Sequence, residues 1–226
     1  MSARIAVFAS GGGSNLQALL DHFGSGPGRG SGEVVLAVGD RPEAGALDRA
    51  RAAGVDTQVI PVMGRPTEAV AADTIDALEA AGTTLVALAG YVRLVPAPVV
   101  RRFASRIVNV HPSLLPAFGG RGMYGSRVHE AVLAAGCRIT GPTVHFVNER
   151  YDEGRILTQW PVPVLDDDSP ESLARRVLRA EHVLYPAAVE WLARVVAGAR
   201  GNDAVAPPLP GTVRGFEGMT AEAPSA

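Results

Sequence analysis

The 226-residue sequence contains no lysine, so all 21 of its lysine-plus-arginine side chains are arginine. That omission excludes a Schiff-base lysine and a P-loop lysine from its chemistry; coding bias toward Arg and Ala accounts for it. Cys137 is the sole cysteine, which excludes an internal disulfide and any multi-cysteine zinc site. A formal charge of -2 leaves no bulk excess to attract nucleic acid or a membrane surface. No apolar run approaches the ~20 residues needed to span a bilayer. The start, Met1-Ser2-Ala3-Arg4-Ile5, lacks the charged and apolar regions of a signal peptide. These absences predict a soluble cytoplasmic protein with neither nucleic acid nor membrane as partner.

What is present is a chain with 47% hydrophobic residues, enough to bury a sizeable core. Arg4 to Ala9, Glu33 to Gly39, Thr57 to Pro61, Thr84 to Leu88 and Arg106 to Val110 read as strands. Most of them are continuously apolar, as in strands covered on both faces. Between them, Leu16 to Phe23, Ala44 to Ala53 and Thr67 to Ala81 read as helices, the last two stopped by Gly54 and Gly82. This alternation predicts an α/β fold: a Rossmann-like, mostly parallel sheet with helices on both faces. Further on, a helix is expected over Ser126 to Ala135 and strands over Thr143 to Val147 and Arg155 to Pro163. A long helix reaching Val196 is opened by Asp166-Asp167-Asp168-Ser169-Pro170, residues suited to a helix start. Residues 1–198 are expected to be a single domain carrying a flexible Gly/Ser-rich connection at 24–32, with a disordered tail at 199–226.

Chemistry concentrates where strands run into loops. In Asn109-Val110-His111-Pro112, the amide and imidazole are two residues apart on a strand, so both look to one face. Pro112 ends the strand there, at the sheet edge where open α/β folds bind ligands. An amide donor beside a titratable ring suits reaction at a carbonyl, although the pair alone is equally a satisfied strand end. Ser10-Gly11-Gly12-Gly13-Ser14-Asn15, between the first strand and helix, reads as a phosphate cradle or as a tight structural turn. It lacks both the Gly-x-Gly-x-x-Gly spacing and the Walker lysine. Gly90-Tyr91-Val92-Arg93-Leu94-Val95 suits clamping of a flat heterocycle or ordinary loop packing. Asp152, on a loop between two strands, would hold His111 charged if it faced the ring. His145 reads as a strand histidine, and His129 and His22 as helix residues without a chemical partner in sequence.

Taken in order, several of these stretches resemble the phosphoribosylglycinamide formyltransferases, folate-dependent enzymes of purine synthesis. The resemblance runs from Arg4 to Leu192. It rests on Gly11-Gly12-Gly13-Ser14-Asn15-Leu16-Gln17-Ala18, Leu88-Ala89-Gly90-Tyr91-Val92-Arg93, and Asn109-Val110-His111-Pro112-Ser113-Leu114-Leu115-Pro116. Val144-His145-Phe146-Val147 with Asp152-Glu153-Gly154, and Glu181-His182 with Tyr185-Pro186, complete it. The resemblance implies the formyltransferase fold and a catalytic trio of Asn109, His111 and Asp152. It implies that Gly13, Ser14 and Asn15 hold the phosphate of glycinamide ribonucleotide and that Glu181 binds its ribose hydroxyls. Arg65, Tyr91, Val92, Arg93, Leu94 and Asn109 would contact 10-formyltetrahydrofolate. The loop Gly120-Arg121-Gly122-Met123-Tyr124-Gly125 departs from the Gly-x-His-x-His stretch commonest in the family.

The reaction so implied, between two small-molecule substrates and with no metal, is direct attack of the ribonucleotide amine on the formyl carbon. Asn109 and a protonated His111 would stabilise the oxyanion, with Asp152 keeping the ring charged. The expected assembly is a monomer or a homodimer. Formyltetrahydrofolate deformylase and methionyl-tRNA formyltransferase are the neighbouring alternatives. The first carries an additional N-terminal regulatory domain and the second a C-terminal tRNA-binding domain. A nucleotide-binding module built on the glycine turn is the alternative from another class, with Asp40 as its ribose acid.

Overall fold

The computed structural model describes residues 2–24 and 30–198. Residues 25–29 of the expected flexible connection, and the expected tail from 199, lie outside the described residues.

Strand β1 (Ala3–Ala9) shows how the layers form, because its side chains alternate between two cores. Ile5, Val7 and Ala9 enter one apolar cluster, while Ala6 and Phe8 enter the other. A strand buried on both sides needs no polar positions, which explains its apolar run from Ile5 to Ala9. Helix α1 (Ser14–Phe23), β2 (Gly32–Gly39), α2 (Gly45–Ala52) and β3 (Asp56–Val59) follow. Then come α3 (Thr67–Ala80), β4 (Leu85–Leu88), α4 (Ala97–Arg102) and β5 (Ile107–His111). Leu16 and Leu19 of α1 and Leu47 of α2 fill the first cluster; Val70 and Leu78 of α3 and Val99 of α4 fill the second.

The second half comprises α5 (Ser126–Ala134), β6 (Ile139–Thr140), β7 (Thr143–Phe146), β8 (Ile156–Gln159), β9 (Val162–Pro163) and α6 (Pro170–Gly198). A seven-stranded sheet runs β3-β2-β1-β4-β5-β7-β8, parallel from β3 through β5 and antiparallel at β5–β7 and β7–β8. The chain thus has the expected mostly parallel α/β architecture. The single strand expected over Arg155 to Pro163 is instead two, β8 and β9, and β9 pairs with β6 in a separate small sheet. Pro161 lies in the break and offers no N–H to a ladder. Neither α4 nor β6 stood out in the sequence; with six and two residues, neither completes a recognisable period.

Two features aim the site. The order reverses around β1, which has β2 on one side and β4 on the other, so the β1 and β4 ends flank a crevice. Helix α6 crosses the sheet and its fully buried Tyr185 donates to the carbonyls of Leu88 at 2.9 Å and Val108 at 3.3 Å. One hydroxyl thereby ties down β4 and β5 just before the loops that carry the polar groups.

Candidate active site

At the C-terminal ends of β1, β4 and β5 lies a cavity of about 800 Å³. Asn109 and His111 leave β5 toward it, as the two-residue spacing predicts, and both line it. Asp152 reaches the same wall from the β7–β8 loop, with its backbone at φ 56°. That left-handed conformation is uncommon for a residue with a side chain, though Asp tolerates it better than most. The three residues therefore converge, as the sequence implied.

Their hydrogen bonds decide the protonation states. His111 Nε2 lies 2.8 Å from the Phe118 carbonyl oxygen, which only accepts, so Nε2 carries a proton. Nδ1 then faces Asp152 Oδ2 at 3.5 Å. Burial pushes the imidazole below its ordinary pKa; the Asp152 charge and the Phe118 carbonyl pull upward without overcoming it, and His145 adds to the lowering. Desolvation of a ring only 4% exposed thus opposes the expected charging by Asp152. Asp152 itself sits below its ordinary value. Burial raises it, but His145, His111 and the Gly120 N–H, donating at 2.8 Å, together outweigh that. A neutral imidazole beside a carboxylate is poised to accept a proton.

His145 is the residue that sequence reasoning missed. Its Nδ1 lies 2.9 Å from the Phe146 carbonyl, which leaves the Nε2 lone pair to accept from Asn109 Nδ2 at 3.1 Å. The same Nε2 stands 3.6 Å from Asp152 Oδ1. Register carries the signal: β7 pairs antiparallel with β5 so that His145 opposes Asn109 directly. His145 thus fixes the amide, leaving its second N–H to serve a ligand. His129 was missed too; it lines the cavity from α5 with His111 close enough to depress its pKa further beyond burial.

The glycine turn has the wiring of an anion cradle. Its carbonyls are all occupied: Ser10 O by Arg41, Gly11 O by the Ala46 N–H, Gly12 O by Arg49 and Gly13 O by the Gln17 N–H. The N–H groups of Gly11, Gly12 and Gly13 have no acceptor among the described residues, and those of Ser14 and Asn15 open α1. Asn15 lines the cavity and donates to Glu181 Oε2 at 2.5 Å, while its own Oδ1 is buried without a partner. An unpartnered buried acceptor beside a carboxyl suits a hydroxyl-bearing ligand. Burial pushes the Glu181 carboxyl up to about 7 against the lowering effect of Asn15. A group raised from 4.5 to about 7 stabilises the fold fully below the lower value and loses that contribution as pH climbs through the higher one. Glu181→Gln should therefore flatten the fall in melting temperature across that window; an unchanged slope would remove Glu181 as its source.

A family model described as formyl transferase matches residues 3–189, nearly all of the described chain. The chain belongs to the formyl transferase family. The phosphoribosylglycinamide formyltransferase, chloroplastic, of Arabidopsis thaliana is 48% identical over 184 residues, covering 80% of this chain and 62% of that protein. The chain thus spans less than two thirds of the curated plant relatives it matches. Among solved structures, glycinamide ribonucleotide transformylase 1 from Symbiobacterium toebii is 44% identical with a TM-score of 0.78, covering 85% of this chain and 88% of that one. Phosphoribosylglycinamide formyltransferase from Brucella melitensis is 42% identical with a TM-score of 0.77, covering 89% and 99%.

Tyr91, Val92 and Arg93 line the cavity beside Gly90. Tyr91 packs edge-on to Phe8 with centroids 5.4 Å apart. Arg93 is bound to buried Asp40 at 2.7 Å, so the carboxylate that a dinucleotide site would need is already engaged. Leu94 and Arg65 are not on the cavity wall. Arg65 is instead held at the surface by Asp73 at 2.7 Å and by the Pro61 carbonyl at 3.3 Å, which corrects its expected place in the pocket. Gly13 and Ser14 border the cavity only through Asn15. No helix among the described residues is long and apolar enough to cross a membrane.

Proposed function

We propose that the chain transfers a formyl group from 10-formyltetrahydrofolate to the primary amine of 5-phosphoribosylglycinamide, a step of purine synthesis, in the cytoplasm. One observation carries this reading: Asn109, His111 and Asp152 line one cavity together with Asn15, which follows the glycine turn and its free N–H groups. The cradle would receive the phosphate at Gly13, Ser14 and Asn15, and Glu181 the ribose hydroxyls. The pterin would lie against Tyr91, Val92 and Arg93. As the amine adds to the formyl carbon, the second N–H of Asn109 donates to the developing oxyanion. Neutral His111 takes the proton that the nitrogen must shed, and Asp152 stabilises the imidazolium so formed. Returning that proton to N10 releases tetrahydrofolate, so protons balance without a covalent enzyme intermediate. Holding both reactants side by side supplies a large part of the acceleration.

Folate product should appear, by its absorbance, only when the ribonucleotide is present. Equal turnover in its absence would make water the acceptor and favour formyltetrahydrofolate deformylase instead.

A further inference from the structure

Many arginines of the described residues are held by carboxylates: Arg65 by Asp73, Arg93 by Asp40, Arg176 by Asp168. Arg121 and Arg175 are not. Neither has a hydrogen bond or ion pair among the described residues, Arg175 meeting only the field of Glu171, and both stand on the cavity wall. Such guanidiniums, kept unpaired beside a cavity, are suited to an anion that arrives from solution.

Their position indicates which anion. On α6, Glu171, Ala174, Arg175, Leu178 and Glu181 recur at helical spacing and present one face to the cavity. Six residues separate Arg175 from Glu181, about 9 Å along the helix, and an arginine side chain spans most of that length. Glu181 is bonded to Asn15 of the cradle and lines the same cavity as Arg175 from the same helix. Arg121 sits between Gly120 at φ 97° and Gly122 at φ 88°, left-handed positions that turn its loop sharply, and it lines the same cavity. A second sign of a missing ligand stands beside them: His129 is 5% exposed, and its Nδ1 has no partner. Near Gly90, the other arginine on the wall is already neutralised by Asp40.

We propose that Arg175 and Arg121 form a clamp on the phosphate of a phosphoribosyl substrate, facing the glycine turn across the anion. This rests on the ribonucleotide reading and adds the charged partners that the turn itself lacks. The turn offers neutral N–H donors that orient the group. The two guanidinium forks supply bidentate hydrogen bonds and the countercharge. It follows that phosphorylated and unphosphorylated sugars are told apart mainly by these two side chains.

Calorimetric titration with ribose 5-phosphate and with ribose, alongside steady-state kinetics, tests the clamp. The double variant Arg121→Gln with Arg175→Gln should bind ribose 5-phosphate about 10-fold or more weakly. Its KM for the ribonucleotide should rise in parallel, while the KM for 10-formyltetrahydrofolate holds. Unchanged affinity for ribose 5-phosphate, or no binding of it by the unaltered protein, overturns the clamp. So does an increase confined to the formyl-folate KM, which would assign the arginines to a carboxylate tail. Should the unaltered protein bind ribose 5-phosphate through both arginines yet formylate nothing, the clamp stands and the transfer reading falls.

Discussion

Turnover should fall by about 10²–10³-fold when Asn109 is replaced by Ala, with the fold retained, because removing one oxyanion donor typically costs that much. The side chain is half-buried and touches His145, but its backbone stays in the β5 ladder, so circular dichroism and melting temperature should move little. His111→Ala should cost at least as much, since it removes the proton carrier that both halves of the reaction share. The two losses should be far from additive, because both act on one transition state. The pH dependence separates them. A neutral base whose pKa lies below its ordinary value predicts activity that rises through the acidic range and levels off near neutrality; in His111→Ala that limb should vanish. Near-normal turnover of either single variant would remove that residue from the chemistry.

The second large effect is expected at Gly13. Its φ of 76° is left-handed, and a Cβ there would lie 2.6 Å from the Ala46 Cα and 2.7 Å from its Cβ. Neither is the far end of a flexible side chain, so the turn and α2 would have to separate. Gly13→Ala should therefore destabilise the protein by about 2–5 kcal/mol, from the backbone conformation and the overpacking together. That corresponds to a melting temperature lower by roughly 5–15 °C for a chain of this size. Phosphate-dependent binding should go with it, since the Ala46 N–H bond to Gly11 O seats the same turn. Gly12→Ala is the internal control: a Cβ at Gly12 meets nothing within 4 Å and should leave stability nearly unchanged. Equal melting temperatures for the two variants would refute the packing argument.

Much of this was legible in the residues. Unbroken apolar strands announced a sheet covered on both faces, and Asn109-Val110-His111-Pro112 announced a polar strand end. The parallel part of the sheet followed because each strand and helix there is long enough to show its period. What stayed hidden depends on pairings between distant segments. His145 looked like any strand histidine until register set it opposite Asn109. The protonation of His111 could not be read from a nearby acid in the sequence, because burial, which no local pattern encodes, dominates it. Arg65 occupied a plausible place along the chain, yet Asp73, in the second turn of the following helix, holds it elsewhere.

The bond between Asn15 and Glu181 joins residues 166 positions apart. During synthesis, the cradle leaves the ribosome long before the helix that completes it, so a growing polypeptide carries half a binding site for most of its elongation. The Asn15–Glu181 contact forms only after the closing helix has emerged and docked. A product that ends before α6 consequently lacks the carboxylate that Asn15 meets.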